Sequence, residues 1–176
     1  MENKKNTAVD FANLIITYVK DLPNRKGSLT PIKLQKILYY VYVECLLKHQ
    51  VKLFDTPIEK WKFGPVVASV YHNFKTYGTN HIADPTPSFV FDFNENGFHY
   101  EEIPFTQDSV EICSDVQNTI RQKVAELIDE NPFDLVEQTH REEPWKKYES
   151  QILKGERGLV YSDEELIGFF SKIREL

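Results

Sequence analysis

The residues of this chain that could do chemistry are few, and their spacing decides what they can do. Five histidines stand at positions 49, 72, 81, 99 and 140, and a zinc site would need them paired at short spacing with one another, with cysteine or with carboxylates. Neither H-E-x-x-H nor any Cys/His array occurs. His140, followed by Glu142 and Glu143, comes nearest to a cluster; the expectation is a surface helix end where these side chains meet solvent. A metal-dependent or acid–base role would have to draw on His140, Glu143 and His72. Cys45 and Cys113 each fall in an apolar helical pattern. Both are expected in the core, away from the electropositive, partly open setting that a nucleophilic thiolate needs.

Seven glycines leave little material for a phosphate-binding loop, and no G-x-S-x-G elbow or kinase-like set is present. The acidic doublets Glu101-Glu102 and Asp129-Glu130 have no cationic or histidine partner nearby in the sequence and read as solvated surface. No residue is therefore expected to be catalytic, and no cofactor or metal is expected. The large aromatics Trp61, Phe63, Tyr71 and Trp145 remain. They can close a core, since each buries roughly 150 to 250 Å², or they can anchor a partner, because Trp and Tyr are enriched at binding hot spots.

The elements that would position these residues are mostly helical. Phe11, Leu14, Ile15, Tyr18 and Val19 form one apolar stripe, which predicts a helix over 7–21. Thr30 can cap a second helix whose first residue is Pro31. From Ile37 onward that helix is apolar on nearly every side, so other elements should surround it. Gly64-Pro65 breaks the chain, after which Pro65 is expected to open a helix carrying Val66, Val67, Val70, Tyr71 and Phe74 and stopping at Gly78. Residues 79–87 have no period and two prolines, and read as a loop. Over 88–103 the period changes to alternation, with Asn96-Gly97 at the turn, which predicts a β-hairpin. Such a hairpin is marginal alone, so an aromatic face should lie on helices or on another chain. A long helix is expected over 109–129, a shorter one from Pro132 through Val136, and a last one opened by a Ser162/Glu165 capping box with a Tyr161/Leu166 staple.

The fold expected is mainly α: one domain over 1–176, a helical bundle around a buried central helix with one inserted β-hairpin. At 41% hydrophobic content, 176 residues can bury one core, and no linker or internal repeat divides them. A net charge of −6 repels a phosphate backbone, and the cations Lys20, Arg25, Lys26, Lys33 and Lys36 read as a scattered, solvated set, so nucleic acid is not expected as a partner. The run 37–47, interrupted by Glu44, is well short of the ~20 residues a bilayer span needs. "MENKKNTAVD" has no apolar signal-peptide core, and two cysteines suit a reducing compartment, so a cytoplasmic protein is expected.

Three segments, taken in order, resemble the Panacea domain, the SocA-like antitoxin family that also takes in phage-associated GepA-type proteins. "LTPIKLQKILYYVY" (29–42) is similar to its helix start and supplies Thr30, Pro31, Lys33, Leu34, Gln35 and Lys36. "LFDTPIEKWKFGPVVASVYHNFKTYG" (53–78) is similar to its Trp-x-x-Gly-Pro-Val pattern and supplies Trp61, Gly64, Pro65, Val66 and Tyr71. "LVEQTHREEPWKKY" (135–148) resembles its Thr-His…Pro-Trp segment, with Thr139, His140, Pro144 and Trp145. The resemblance extends over roughly 8–173. It departs at Lys60, where Ala is common, and at Ile37, which replaces a Leu.

The resemblance implies a small antitoxin, encoded beside an unrelated toxin that it neutralises by direct contact. An adaptor that delivers a partner to a protease, or a phage-associated regulatory protein, is the alternative. The motif residues would build a shared structural corner. Partner choice would lie in less patterned surface: the hairpin, with Phe98 and Tyr100, and nearby Phe63. A surface this aromatic is prone to self-association when unpartnered.

Overall fold

The computed structural model of the chain describes residues 5–95 and 97–174. Helix α1 (Ala8–Asp21) starts at a reciprocal cap: the Thr7 side chain accepts from the Asp10 amide, and the Asp10 carboxylate accepts from the Thr7 amide. Helix α2 (Pro31–His49) begins as its sequence predicts, with Thr30 as cap and Pro31 first, and ends at Gln50 in the left-handed conformation. Strands β1 (Glu59–Trp61) and β2 (Gly64–Val66) form a small antiparallel pair, extended on the β1 side by Val160. Then come α3 (Ala68–Phe74), the long hairpin β3 (Ser88–Asn94) and β4 (Gly97–Ile103), α4 (Ser114–Leu127), α5 (Pro132–Arg141), the short α6 (Glu143–Lys146) and α7 (Glu149–Leu153), and α8 (Asp163–Arg174). The fold is mainly α with a hairpin insert.

Helix α2 is the centre. Helices α1, α3, α4, α5 and α8 and strand β2 all pack on it, and every residue from Lys33 to Leu46 is buried. A helix with no solvent face cannot be stabilised by amphipathicity. Its polar side chains must instead find partners in whatever surrounds it.

Several expectations are corrected. Lys33 and Lys36 are not surface cations but are buried, because α2 is enclosed on the side they occupy. Pro65 lies in β2, and α3 begins only at Ala68. The cause is Gln35: its Oε1 accepts from the Val67 N–H at 2.9 Å and its Nε2 donates to the Val67 carbonyl at 3.3 Å, holding Val67 extended as a neighbouring strand would. Helix α4 starts at Ser114 rather than near 109, and Cys113, its cap residue, is exposed instead of buried. Upstream, the Asn6 side chain pairs with both the N–H and the C=O of Glu111 and keeps that segment out of the helix. Helix α5 runs on to Arg141, five residues past Val136. Ser162 does accept from the Glu165 amide, but the Glu165 carboxylate turns away to Lys60 and Lys147. Of the expected Asn96-Gly97 turn, Asn96 lies outside the described residues, while Gly97 takes a φ of 110° that favours glycine.

The hairpin pairs in a single register, Phe91 opposite Tyr100 and Phe93 opposite Phe98. Every residue of its two strands whose burial is described is exposed, on both faces, so neither face is covered by the helices.

Replacing Gln35 by Ala leaves the buried N–H of Val67 unpaired, which costs about 1 to 3 kcal/mol, while the Val67 carbonyl keeps its bond from the Tyr71 N–H. Urea denaturation should show Q35A destabilised by on the order of 2 kcal/mol, with β2 and the start of α3 losing hydrogen-exchange protection first.

Candidate functional site

The three motif segments converge on one corner, where α2, β2 and α5 meet. Gly64 has a φ of +86°, and a Cβ there would stand 2.4 Å from Thr139 Oγ1 and 3.0 Å from Lys36 Cε, so glycine is demanded by both backbone and space. Thr139, fully buried, donates to the Val136 carbonyl. Lys36 Nζ donates to the Pro65 carbonyl at 3.1 Å, and burial alone brings its pKa down to about 7. Leu34 fills the core beside it, and Lys33 Nζ reaches the Ile128 carbonyl at 2.7 Å, next to the end of α4. Trp145, packed behind Pro144 at the start of α6, is 1% exposed, and its indole N–H donates to the Trp61 carbonyl at 2.9 Å.

His140 does not meet solvent as a surface helix end would. Its ring stacks on Trp145 with centroids 3.8 Å apart. Burial, reinforced by the Lys36 charge and opposed by a bond to the Lys62 carbonyl, lowers its pKa and favours the neutral ring. Its Nε2 is buried without a hydrogen-bond partner. Glu142 is buried too, its carboxylate accepting from the hydroxyls of Tyr39 at 2.8 Å and Tyr40 at 2.7 Å, while burial pushes its pKa up to about 7 despite those bonds. Among the described residues no group of three His, Cys, Asp or Glu side chains is placed to hold a metal ion.

Lys60 also has a partner the sequence did not reveal. It is buried, sits 2.7 Å from Glu165, and lies 3.9 Å from the Tyr148 ring centroid and 4.8 Å from that of Tyr161. Burial depresses its pKa although Glu165 opposes the shift. A lysine is tolerated at this buried place because α8 delivers a carboxylate and two rings surround the ammonium.

Two surfaces stand open, one at the edge of the corner and one away from it. One is a groove of about 340 Å³ walled by Pro31, Ile32, Trp61, Phe63, Val66 and Tyr71, with Lys36 among the residues beneath it. Trp61 and Tyr71 meet edge to face at 5.1 Å, and Phe63, in the β1–β2 turn, is half exposed. The other is the hairpin. Phe89, Phe91 and Phe93 share a face with Phe98 and Tyr100, and these five rings contact one another at 5.5 to 6.5 Å between centroids. Each ring is between 48% and 81% exposed.

A family model described as antitoxin SocA-like, Panacea domain, matches residues 34–146. The chain belongs to that family. The match begins within α2, ends just past Trp145, and takes in the Gly64 corner and the hairpin. Thr30, Pro31 and Lys33 lie just ahead of it. No curated protein and no solved structure matches the chain. Membership of an antitoxin family points to a protein partner. Among the described residues no helix is long and apolar enough to cross a membrane.

Two parts of this SocA-like domain escaped the sequence: the Tyr39–Glu142–Tyr40 triad and the Lys60–Glu165 pair. Both join residues more than 100 positions apart, so no local spacing could announce them.

The raised pKa of Glu142 fixes the sign of a pH effect. Between about pH 4.5 and 7 the folded protein holds a proton that the unfolded chain releases. Glu142 therefore contributes most stability at the acidic end, and that contribution is lost as pH rises through about 7. Unfolding free energies at pH 5 and 7.5 should differ less for E142Q than for the wild type, by on the order of 2 kcal/mol.

Proposed function

We propose that the protein neutralises a cognate toxin by direct contact, without catalysis, and that the aromatic face of the β3–β4 hairpin is the surface it uses. The observation that carries this reading is the contiguous row of five exposed rings on a hairpin whose strand residues of described burial are all exposed. Free monomers rarely leave so much contiguous aromatic surface in water. A two-stranded hairpin gains lasting order only when one face is covered, and a partner protein would cover it.

The remaining features fit this division of labour. The family corner is internal, built on the fully buried Lys36, Thr139 and Trp145, and holds the domain together. The hairpin is free to carry specificity. Phe98 and Tyr100, on β4, lie within the aromatic face, whereas Phe63 lies at the groove, whose lining includes no hairpin residue.

Co-expression with the product of the adjacent gene tests the reading: growth arrest by that product alone should be relieved by this protein, and the two should co-purify. Aromatic hot-spot residues typically contribute about 2 kcal/mol or more each. Tyr100→Glu and Phe91→Glu should thus weaken the complex by about 30-fold or more while leaving the thermal transition unchanged. Undiminished affinity in both variants removes the hairpin from the interface, and rescue without a complex favours an adaptor.

A further inference from the structure

The five exposed rings of the hairpin say that a surface covers them; the charges around the rings say what kind of surface. Residues 76–120, which contain the hairpin, hold eight aspartates and glutamates and no lysine or arginine, although the chain carries 21 such cations elsewhere. Residues directly opposite each other on paired strands point to the same face. Glu102, opposite Phe89, therefore belongs to the aromatic face, while Glu101, opposite Val90, lies on the reverse. Glu95 stands at the turn, beyond the tip rings Phe93 and Phe98. All three carboxylates are exposed, and among the described residues none of them makes an ion pair.

This combination discriminates between occupants of the face. A second copy of the hairpin would set like charges against each other, with no cation in the segment to answer them. An anionic lipid surface or a nucleic acid would be repelled by the same carboxylates. A neutral apolar surface would bury Glu102 beside the rings without a counter-charge, at a cost of several kcal/mol. A cationic protein surface satisfies both features, and arginine does so with a single side chain. Its planar guanidinium stacks on an aromatic ring and presents a fork of donors to a carboxylate, whereas the lysine ammonium is a compact, strongly hydrated charge. The chain uses this contact internally, where the Arg121 guanidinium lies 4.1 Å from the Tyr18 ring centroid.

We propose that the hairpin recognises an arginine-bearing surface on its protein partner, with guanidinium groups over Phe89, Phe91 and Tyr100 that pair with Glu102 on the same face, and a further cation received by Glu95 at the tip. The inference rests on the hairpin reading and adds to it the charge and the side chain of the partner. Glu101, on the reverse face, adds to the field that draws a basic surface in from a distance. A lysine or arginine anywhere on this arm would oppose that approach, and the arm has none.

The test uses the full chain and three N-acetylated peptide amides, Arg-Gly-Arg-Gly-Arg, its lysine counterpart and Leu-Gly-Leu-Gly-Leu, each titrated while backbone amide shifts are followed. The arginine peptide should bind several-fold tighter than the lysine peptide, shift the amides of 88–103 above all others, and weaken about tenfold between roughly 0.05 and 0.5 M salt. Glu95→Gln combined with Glu102→Gln, both at exposed positions, should lower the affinity for the arginine peptide about tenfold. Equal binding of the arginine and lysine peptides, tightest binding of the leucine peptide, shifts centred away from the hairpin, or no binding of any peptide would each overturn the inference. A dimer of the free protein that Phe91→Glu dissolves would likewise give the face to a second copy. The toxin complex separates this inference from the reading beneath it. Affinity lost in Tyr100→Glu but kept in the double glutamine variant leaves the hairpin as the interface and removes the arginine contact alone. Arginine-peptide binding at the hairpin, with toxin affinity untouched by Tyr100→Glu and Phe91→Glu, keeps the arginine chemistry and removes the toxin from the hairpin.

Discussion

The structure depends on one constraint: a helix buried along fourteen consecutive residues, Lys33 to Leu46, that still carries polar groups on all sides. Each such group loses its water on folding and must be answered by another element. Lys33 is answered by the carbonyl of Ile128, Gln35 by Val67, Lys36 by Pro65, Tyr39 and Tyr40 by Glu142, Tyr42 by Asp163, and Glu44 by Arg174. These bonds reach the end of α4, the β2–α3 corner, the α5–α6 joint and both ends of α8. Hydrophobic contact pulls these elements onto α2 without direction. The polar side chains set where along it each one stops.

The Gly64 corner shows how close the tolerances are. Thr139 and Lys36 approach the Gly64 backbone so nearly that any side chain there would collide, and Trp145 then locks the β1–β2 turn by bonding to the Trp61 carbonyl. The three family motifs, distant in sequence, are thus one physical unit. Its members are mostly interior, so in this chain the corner bears on how the domain is held together.

Much of this was legible in the sequence, for identifiable reasons. The Thr30-Pro31 start of α2, the stripe of α1 and the alternation of 88–103 are local patterns, and local patterns survive folding. The burial of α2 followed from its apolar circumference. What misled was chemistry supplied from afar. Lysines 33 and 36 read as surface because nothing near them in sequence hints at the carbonyls that receive them. Pro65 read as a helix start because the Gln35 side chain, 30 positions earlier, was not recognisable as a strand substitute. Glu142 read as solvated because its two tyrosine donors lie on another helix. Cys113 read as core because its apolar neighbours suggested one continuous helix, whereas Asn6 pins the preceding segment open. The family resemblance supplied the corner's membership but not its geometry.

The account divides the molecule into a core held rigid by α2 and a hairpin left open for a partner. Native-state hydrogen exchange, with and without the toxin, measures that division directly. In the free protein the amides of residues 37–46 should exchange only through global unfolding, and those of 88–103 by local opening, far faster. With the toxin bound, the hairpin amides should slow markedly while α2 changes only with overall stability. A hairpin already as protected as α2 in the free protein, or one whose exchange is untouched by the toxin, would contradict the account.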